Sequence, residues 1–411
     1  MNATEPSARR RQSSHRGVRI AVAVVAAALV ATPIVVRADD PADAADLVVR
    51  VGQLHTGDGT VLRDAVIVIE DGRFVSVTEG GAVPKGSAAR VFANAVACPG
   101  FVDAVTQIGL DGGAAESPEA LTPDVRAADA FDVRHRDLKP TVQAGTTSIG
   151  LLPAPANVAS GASAAAALRA DGSAEVLLRR GPPVFAFQAP ALGTARVPST
   201  AAGARAVLQA AFAGRAWTTS GEGSIPVRPA AIELLAALKG GPAIVYADSP
   251  ENARIAIETL KAQGLSPTLV GLRAAWKDSA RIADLRVPCI VVGLDPGDPI
   301  GLLEMPGKLA AAGVDVSFAT GAPARSPRSL RLSIALAVAN GFPTAQAVPA
   351  VTSRAAAALG VGDQVGHVAE GRRADLLILD GNPWEPRSRV LLSLAGGRIV
   401  RDAAAETEAS K

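Results

Sequence analysis

Between Phe101 and Leu359 short apolar runs alternate with alanine-rich helical stretches, and this alternation most limits what the chain can fold into. The runs are Phe101–Ile108, Thr146–Leu152, Pro183–Gln188, Ala243–Ala247, Thr268–Leu272, Cys289–Leu294 and Val314–Ala319, with Ala162–Leu168 as a weaker eighth. Helical stretches fall at Ala202–Ala213, Arg228–Leu238, Pro250–Gln263, Ala274–Leu285, Pro306–Ala312, Pro327–Ala339 and Thr344–Leu359. Parallel strands need a crossover, and a helix is the usual one, so the pattern predicts a parallel α/β architecture. Eight strands at this spacing favour a (β/α)8 barrel of the TIM type over a doubly wound sheet. No Gly-x-Gly-x-x-Gly follows the first run, which argues further against a dinucleotide fold.

Both ends of this region are flanked by hairpin-like β segments. On the N-terminal side lie Leu47–Val51, Ala65–Ile69 and, after the Asp71-Gly72 turn, Arg73–Val77. On the far side lie Ala374–Asp380, Val390–Ala395 and, after Gly396-Gly397, Arg398–Val400. One small domain assembled from both ends accounts for them. The expected organisation is a signal segment at 1–38, a composite β-sandwich from 39–98 and 363–403, a barrel over 99–362, and a disordered tail at 404–411.

Residues 1–38 carry six arginines against one glutamate, and an apolar run follows Arg9, Arg10, Arg11, Arg16 and Arg19. With Val36-Arg37-Ala38 as a small-x-small site, the segment reads as a cleaved secretory signal and predicts a periplasmic or extracellular protein; an N-terminal membrane anchor is the alternative. Without it the chain is slightly acidic, and no basic stretch is interleaved with aromatics, which make up only 3% of residues. Nucleic acid is therefore not an expected partner. Cys98 and Cys289 are too few for a disulfide framework and read as buried core residues.

Three stretches share one likeness: Cys98-Pro-Gly-Phe-Val-Asp103, Ala144-Gly-Thr-Thr-Ser148, and the C-terminal run from Gly341 through Val365-Gly-His-Val-Ala-Glu-Gly-Arg-Arg-Ala-Asp-Leu-Leu-Ile-Leu-Asp-Gly-Asn-Pro383. They resemble the amidohydrolase superfamily, the last stretch especially its imidazolonepropionase-like members. The resemblance implies a distorted (β/α)8 barrel with a composite β-sandwich. It also implies a hydrolase acting on carbon–nitrogen bonds other than peptide bonds, with zinc or another divalent metal held by two His after the first strand, a His on each of the fifth and sixth, and an Asp on the eighth. A carboxylate or modified Lys on the fourth strand bridges in some members.

This chain departs from that pattern at each position. Val105 and Gln107 stand for the His pair, Tyr246 for the fifth-strand His, Gly271 falls in a sixth strand without His, and Gly321 stands for the Asp; Phe185–Gln188 offers no carboxylate or Lys. The four histidines are His15, His55, His135 and His367, and none is paired at ligand spacing. No metal and no other cofactor is expected. Nucleophile-elbow, His-Glu-x-x-His, Cys-x-x-Cys and phosphate-loop motifs are also missing.

Asp103, Tyr246 and Asp248 form the candidate set for metal-free acid/base chemistry, against a reading in which Asp103 supports the strand–loop junction and Asp248 caps the helix opening Ser249-Pro250-Glu251. Asn157 is a candidate mouth residue or a turn residue. The expected function is that of a catalytically degenerate amidohydrolase homologue, a pseudoenzyme that binds a small molecule or an active paralogue in a homo- or hetero-oligomer. An active hydrolase with a metal-independent or relocated site is the alternative, and a purely structural envelope component is a third reading.

Overall fold

The computed structural model describes residues 47–116, 119–194, 196–217 and 228–409. The expected signal segment lies outside them. These described residues belong to one compact unit. In chain order the first strands are β1 (Leu47–His55), β2 (Val61–Glu70), β3 (Arg73–Glu79), β4 (Ala89–Pro99), β5 (Phe101–Thr106) and β6 (Thr146–Leu151). There follow β7 (Ala159–Ala162), β8 (Ala164–Leu168), β9 (Ala174–Leu178), β10 (Pro183–Phe187), β11 (Gly241–Ala247) and β12 (Leu265–Val270). The last are β13 (Cys289–Val292), β14 (Val316–Ala319), β15 (Leu376–Leu379), β16 (Val390–Ala395) and β17 (Arg398–Asp402). The helices are α1 (Leu138–Gln143), α2 (Ala201–Phe212), α3 (Pro229–Ala237), α4 (Pro250–Lys261), α5 (Ser279–Ala283), α6 (Ile300–Ala311), α7 (Leu330–Ala339), α8 (Thr344–Ala350), α9 (Ser353–Ala358) and α10 (Ala403–Ala409).

The terminal segments meet as their β patterns require. Their strands join in one seven-stranded sheet, β17-β16-β15-β4-β1-β2-β3, with Leu376 opposite Pro99 and Ile378 opposite Ala97. All are hydrogen-bonded into this single sheet, and its two end hairpins meet, Gly72 lying against Gly396 and Gly397. The tail expected to be disordered instead continues as α10 from Ala403 to Ala409. Alanines favour the helix, Asp402 Oδ1 accepts the Ala404 amide at 3.2 Å, and Arg401 pairs with Glu406 at 3.1 Å.

The central region is α/β with mixed sheets. One sheet runs β14-β13-β12-β11-β10-β7 and another β5-β6-β8-β9. The pairs from β10 to β14 are parallel, with α4 crossing from β11 to β12 and α6 from β13 to β14. The expected closed eight-stranded barrel is not formed. The reason lies between residues 151 and 183, where β7, β8 and β9 are joined by connections too short to hold a crossover helix, so the strands turn back on their neighbours. Accordingly β8 pairs antiparallel with both β6 and β9, and β7 antiparallel with β10. Two helices also depart from expectation. α6 starts at Ile300 and contains Pro306, and the stretch from Thr344 divides at Val351–Thr352 into α8 and α9.

Strand alternation sorts the core. Phe185, Phe187, Val245, Leu269, Val291 and Phe318 face the helices, where Phe318 meets Phe342 edge-on at 5.3 Å. Burying each of these phenylalanines contributes about 2–3 kcal/mol. The alternate residues Val184, Ala186, Ile244, Tyr246, Val270 and Ile290 form a second cluster with Val102 and Val105 of β5. Cys98 and Cys289 are free and buried.

Two close approaches fix where the terminal sheet hands over to this region. A Cβ at Gly100 would lie 2.1 Å from Thr147 Oγ1, so only glycine fits between Pro99 and Phe101. One strand end further on, the fully buried Asp103 joins β5 to β14. Its Oδ1 accepts the Thr320 amide at 2.9 Å and the Val105 amide at 3.4 Å, and Oδ2 accepts the Thr320 hydroxyl. Backbone bonds from Gly321 N to Val105 O (3.1 Å) and Gln107 N to Ala322 O (2.7 Å) lie beside it.

Burial pushes the Asp103 carboxyl up to about 6, against the hydrogen bonds from Thr320 and Val105 that favour its charge. Asp375, buried beneath the hairpin of β16 and β17, is likewise pushed up to about 6 by burial. Groups raised in this way stabilise the fold fully only below the ordinary carboxylate range and lose that contribution as pH rises through about 6. Asp103→Asn keeps an acceptor for the Thr320 amide and supplies a donor for its hydroxyl, and it does not titrate. We predict that its urea-unfolding free energy, relative to wild type, improves by up to about 3 kcal/mol from pH 4 to pH 7. A difference that stays constant over that range would show that Asp103 does not titrate there.

Candidate functional site

The C-terminal ends of six strands converge on one cavity of about 550 Å³. Its wall comprises Val105, Thr106 and Gln107 after β5, Gln188 after β10, Tyr246 on β11, Gly271 and Arg273 after β12, Val292 on β13, and Gly321 to Ala324 after β14. The ends of parallel strands are where α/β proteins place their sites, because the loops there diverge and leave a concavity. All five positions singled out as departures from the metal-binding pattern, Val105, Gln107, Tyr246, Gly271 and Gly321, line this space.

The backbone explains two of those residues. Gly271 has φ +94° and Gly321 φ +70°, in the left-handed region that favours glycine. Their side-chain space is also taken. A Cβ at 271 would approach Gln188 Oε1 to 3.2 Å, and one at 321 would meet Val292 Cγ1 at 2.5 Å.

Apart from Arg273, the polar side chains lining this site are neutral. The carboxamides of Gln107 and Gln188 and the hydroxyl of Tyr246 have no protein hydrogen-bond partner among the described residues. The buried Thr106 Oγ1 also has none. Tyr246 is only 8% exposed, and burial raises the pKa of its phenol, so it stays protonated and both donates and accepts. The one cation, Arg273, is spent. Its Nη1 donates to Gly293 O at 2.6 Å and to Asp298 Oδ2 at 2.8 Å, and its Nη2 to Asp298 Oδ1. That pairing in turn holds the Asp298 carboxyl below the usual range.

The other candidate residues are not brought together. Asp103 lies under the cavity, locked to Thr320, and does not line it. Asp248 accepts from Asn252 Nδ2 at 2.9 Å outside the cavity. It does not cap α4 either. Ser249 does, accepting the Asn252 amide at 3.2 Å, because its extended backbone (φ −142°, ψ 156°) places the hydroxyl over the first turn. Asn157 is fully buried elsewhere, joining Glu116 O (2.6 Å), Thr122 Oγ1 (2.9 Å) and Arg196 (2.9 Å).

The histidines do not converge. His55 ends β1 against Trp384 with ring centroids 5.6 Å apart, His135 lies 3.4 Å from Asp111, and His367 belongs to a surface groove with Asp58 and Glu370. Among the described residues no group of three or more His, Cys, Asp or Glu is placed to hold a metal ion. The cavity offers two amide oxygens, a protonated phenol and an arginine, a set that does not fit a divalent cation.

Gln188, Arg273, Thr106 and Val292 were not assigned to the site from sequence. Gln188 had a signal, since it is the last residue of a predicted strand, whereas Arg273 is identified only by its reach to Asp298.

Residues 244–405 match the model of the amidohydrolase family. No curated protein matches. Among solved structures, an amidohydrolase from Thermotoga maritima MSB8 superposes with a TM-score of 0.70 at 20% identity, over 87% of this chain and 100% of that one. Molinate hydrolase superposes with a TM-score of 0.52 at 13% identity, over 86% of this chain and 94% of that one. The amidohydrolase family's model is thus matched by the C-terminal part of the chain, and the TIM-barrel-like α/β fold of a solved amidohydrolase is shared over most of its length.

Proposed function

We propose that this chain is an exported, catalytically degenerate amidohydrolase homologue that binds a small uncharged ligand at its strand-end cavity and does not hydrolyse by metal activation. One observation carries the reading. The five positions at which the family's metal ligands are expected meet in a single cavity, and the unpaired polar groups there are two carboxamides and two hydroxyls. Groups that each donate and accept suit a ligand rich in hydroxyl or amide groups, while Val105, Val292, Ala322 and Pro323 supply apolar contact. A ligand that pairs with them recovers hydrogen bonds that the protein alone leaves unmade. An active paralogue as partner in a homo- or hetero-oligomer is compatible with this role.

The competing reading is metal-free hydrolysis, which needs a base beside the substrate. Of the candidate carboxylates, neither Asp103 nor Asp248 lines the cavity, and the raised Tyr246 phenol is a poor base near neutral pH. The discriminating experiment is metal analysis of the purified mature protein together with a panel of amide, lactam and dipeptide substrates, then thermal-shift screening with neutral polyols and amides. We expect substoichiometric metal, no chelator-sensitive turnover, and stabilisation by a neutral compound that Tyr246→Phe weakens. Stoichiometric zinc with chelator-sensitive turnover would sink the proposal.

The glycine backbones extend it. Gly321→Asp restores the family's residue type at a left-handed position whose Cβ meets Val292. We expect a loss of about 2 kcal/mol or more in urea unfolding, with no gain of zinc binding even when combined with Val105→His and Gln107→His. Tight zinc binding by the triple variant would show that the backbone is not the obstacle.

A further inference from the structure

A second and larger concavity of about 1230 Å³ shares no residue with the first. It runs between the end of α1, the start of α7, the loop before β16, and β17 with α10. Four guanidinium groups line it, those of Arg328, Arg331, Arg389 and Arg401, and the only acidic residue among the lining is Glu406.

Arg331 is fixed in advance. Its Nε donates to Pro383 O at 3.0 Å, and its Nη2 to Glu385 O at 2.7 Å and to Ser388 O. Those bonds use three of the five N–H donors. They satisfy the loop's carbonyls without neutralising the cation, and Nη1 keeps two donors with no protein partner. Arg328, three residues earlier and just before α7, has no side-chain hydrogen bond or ion pair among the described residues. Arg389 and Arg401 have one carboxylate each, Asp380 at 2.9 Å and Glu406 at 3.1 Å. Holding the loop accounts for part of Arg331, but it accounts for neither Arg328 nor the uncommitted Nη1 of Arg331, which leave positive charge and free donors at the groove.

We propose that this groove binds a small oxyanion carrying two or more phosphate or carboxylate groups. Guanidinium forks match the paired oxygens of either group, and prior anchoring of Arg331 lowers the ordering cost of contact. No aromatic residue lines the groove, so it lacks the stacking platform on which single-stranded nucleic acid is held. Glu406 competes with the ligand for Arg401 and places α10 at the groove's edge.

The test is isothermal titration of the full mature chain with sodium pyrophosphate and, separately, sodium citrate, at about 50 mM and about 300 mM salt. We expect saturable binding of at least one probe that weakens at the higher salt. Binding of pyrophosphate alone assigns a phosphate ligand, and binding of citrate alone a carboxylate one. Arg328→Gln should lower affinity roughly tenfold and Arg328→Gln/Arg401→Gln further, with unchanged melting temperatures because both side chains are exposed. Glu406→Gln should act in the opposite direction and tighten binding. No heat with either probe at about 1 mM, or affinity unchanged in the double variant, overturns the proposal. None of these outcomes depends on what the strand-end cavity binds.

Discussion

The carboxylate of Asp103 holds the seam on which the cavity rests. β5 and β14 are not paired in a ladder, so the space between the two central sheets depends on a few discrete bonds. Asp103 supplies two of them, to the Thr320 amide and hydroxyl, while also accepting the Val105 amide within its own strand, and Thr320 Oγ1 passes the link on to the Ala322 amide at 3.1 Å. These bonds place Val105 and Gln107 on one side of the cavity and Gly321 and Ala322 on the other. A fully buried carboxyl is costly to ionise, and Asp103 is kept in place because its hydrogen bonds are local, directed and nearly saturated. The same geometry removes it from chemistry, since a group that spends its oxygens on Thr320 has nothing to offer a substrate.

Much of the fold was legible as periodicity. The strands from β10 to β14 and the helices between them fall close to where alternating runs and alanine-rich stretches predict them, because each is decided by which of its own faces is buried. The antiparallel excursion through β7, β8 and β9 was not. Ala159–Leu168 is nearly all small and apolar, and such a run does not distinguish parallel from antiparallel pairing or name a partner. Connection length was the usable signal: the spacing from β7 to β10 leaves no room for a helix. The tail at Ala403 escapes the sequence reading for a similar reason, since its helix begins at the Asp402 cap and rests on alanine propensity rather than on a buried face.

The site divides the same way. Val105, Gln107, Tyr246, Gly271 and Gly321 could be named from sequence because a resemblance supplied their registration, and they do share one cavity. The proposed acid/base trio failed because nearness along the chain says little about where a side chain is spent. Asp248 sits two residues from Tyr246 yet turns to Asn252, and Asn157 is consumed by Glu116, Thr122 and Arg196. Gln188 and Arg273 joined the wall through contacts that no local pattern encodes.

The departure from the family's metal pattern therefore has two layers. At 105, 107 and 246 the residue types differ while the strand backbone stays ordinary, so imidazole is absent by composition alone. At 271 and 321 the backbone lies in the left-handed region and neighbouring side chains have closed over the missing Cβ positions. Val292 and Gln188 occupy that space, and they do so as cavity wall. A site that had merely lost ligands would leave voids where they stood, and buried voids are costly. Here side chains of the wall lie close to both Cβ positions, and the cavity that remains is lined by carboxamides and hydroxyls without protein partners among the described residues. Of these only Thr106 Oγ1 is buried without a partner; the carboxamides and the phenol open onto the cavity, where a ligand of matching polarity can pair with them.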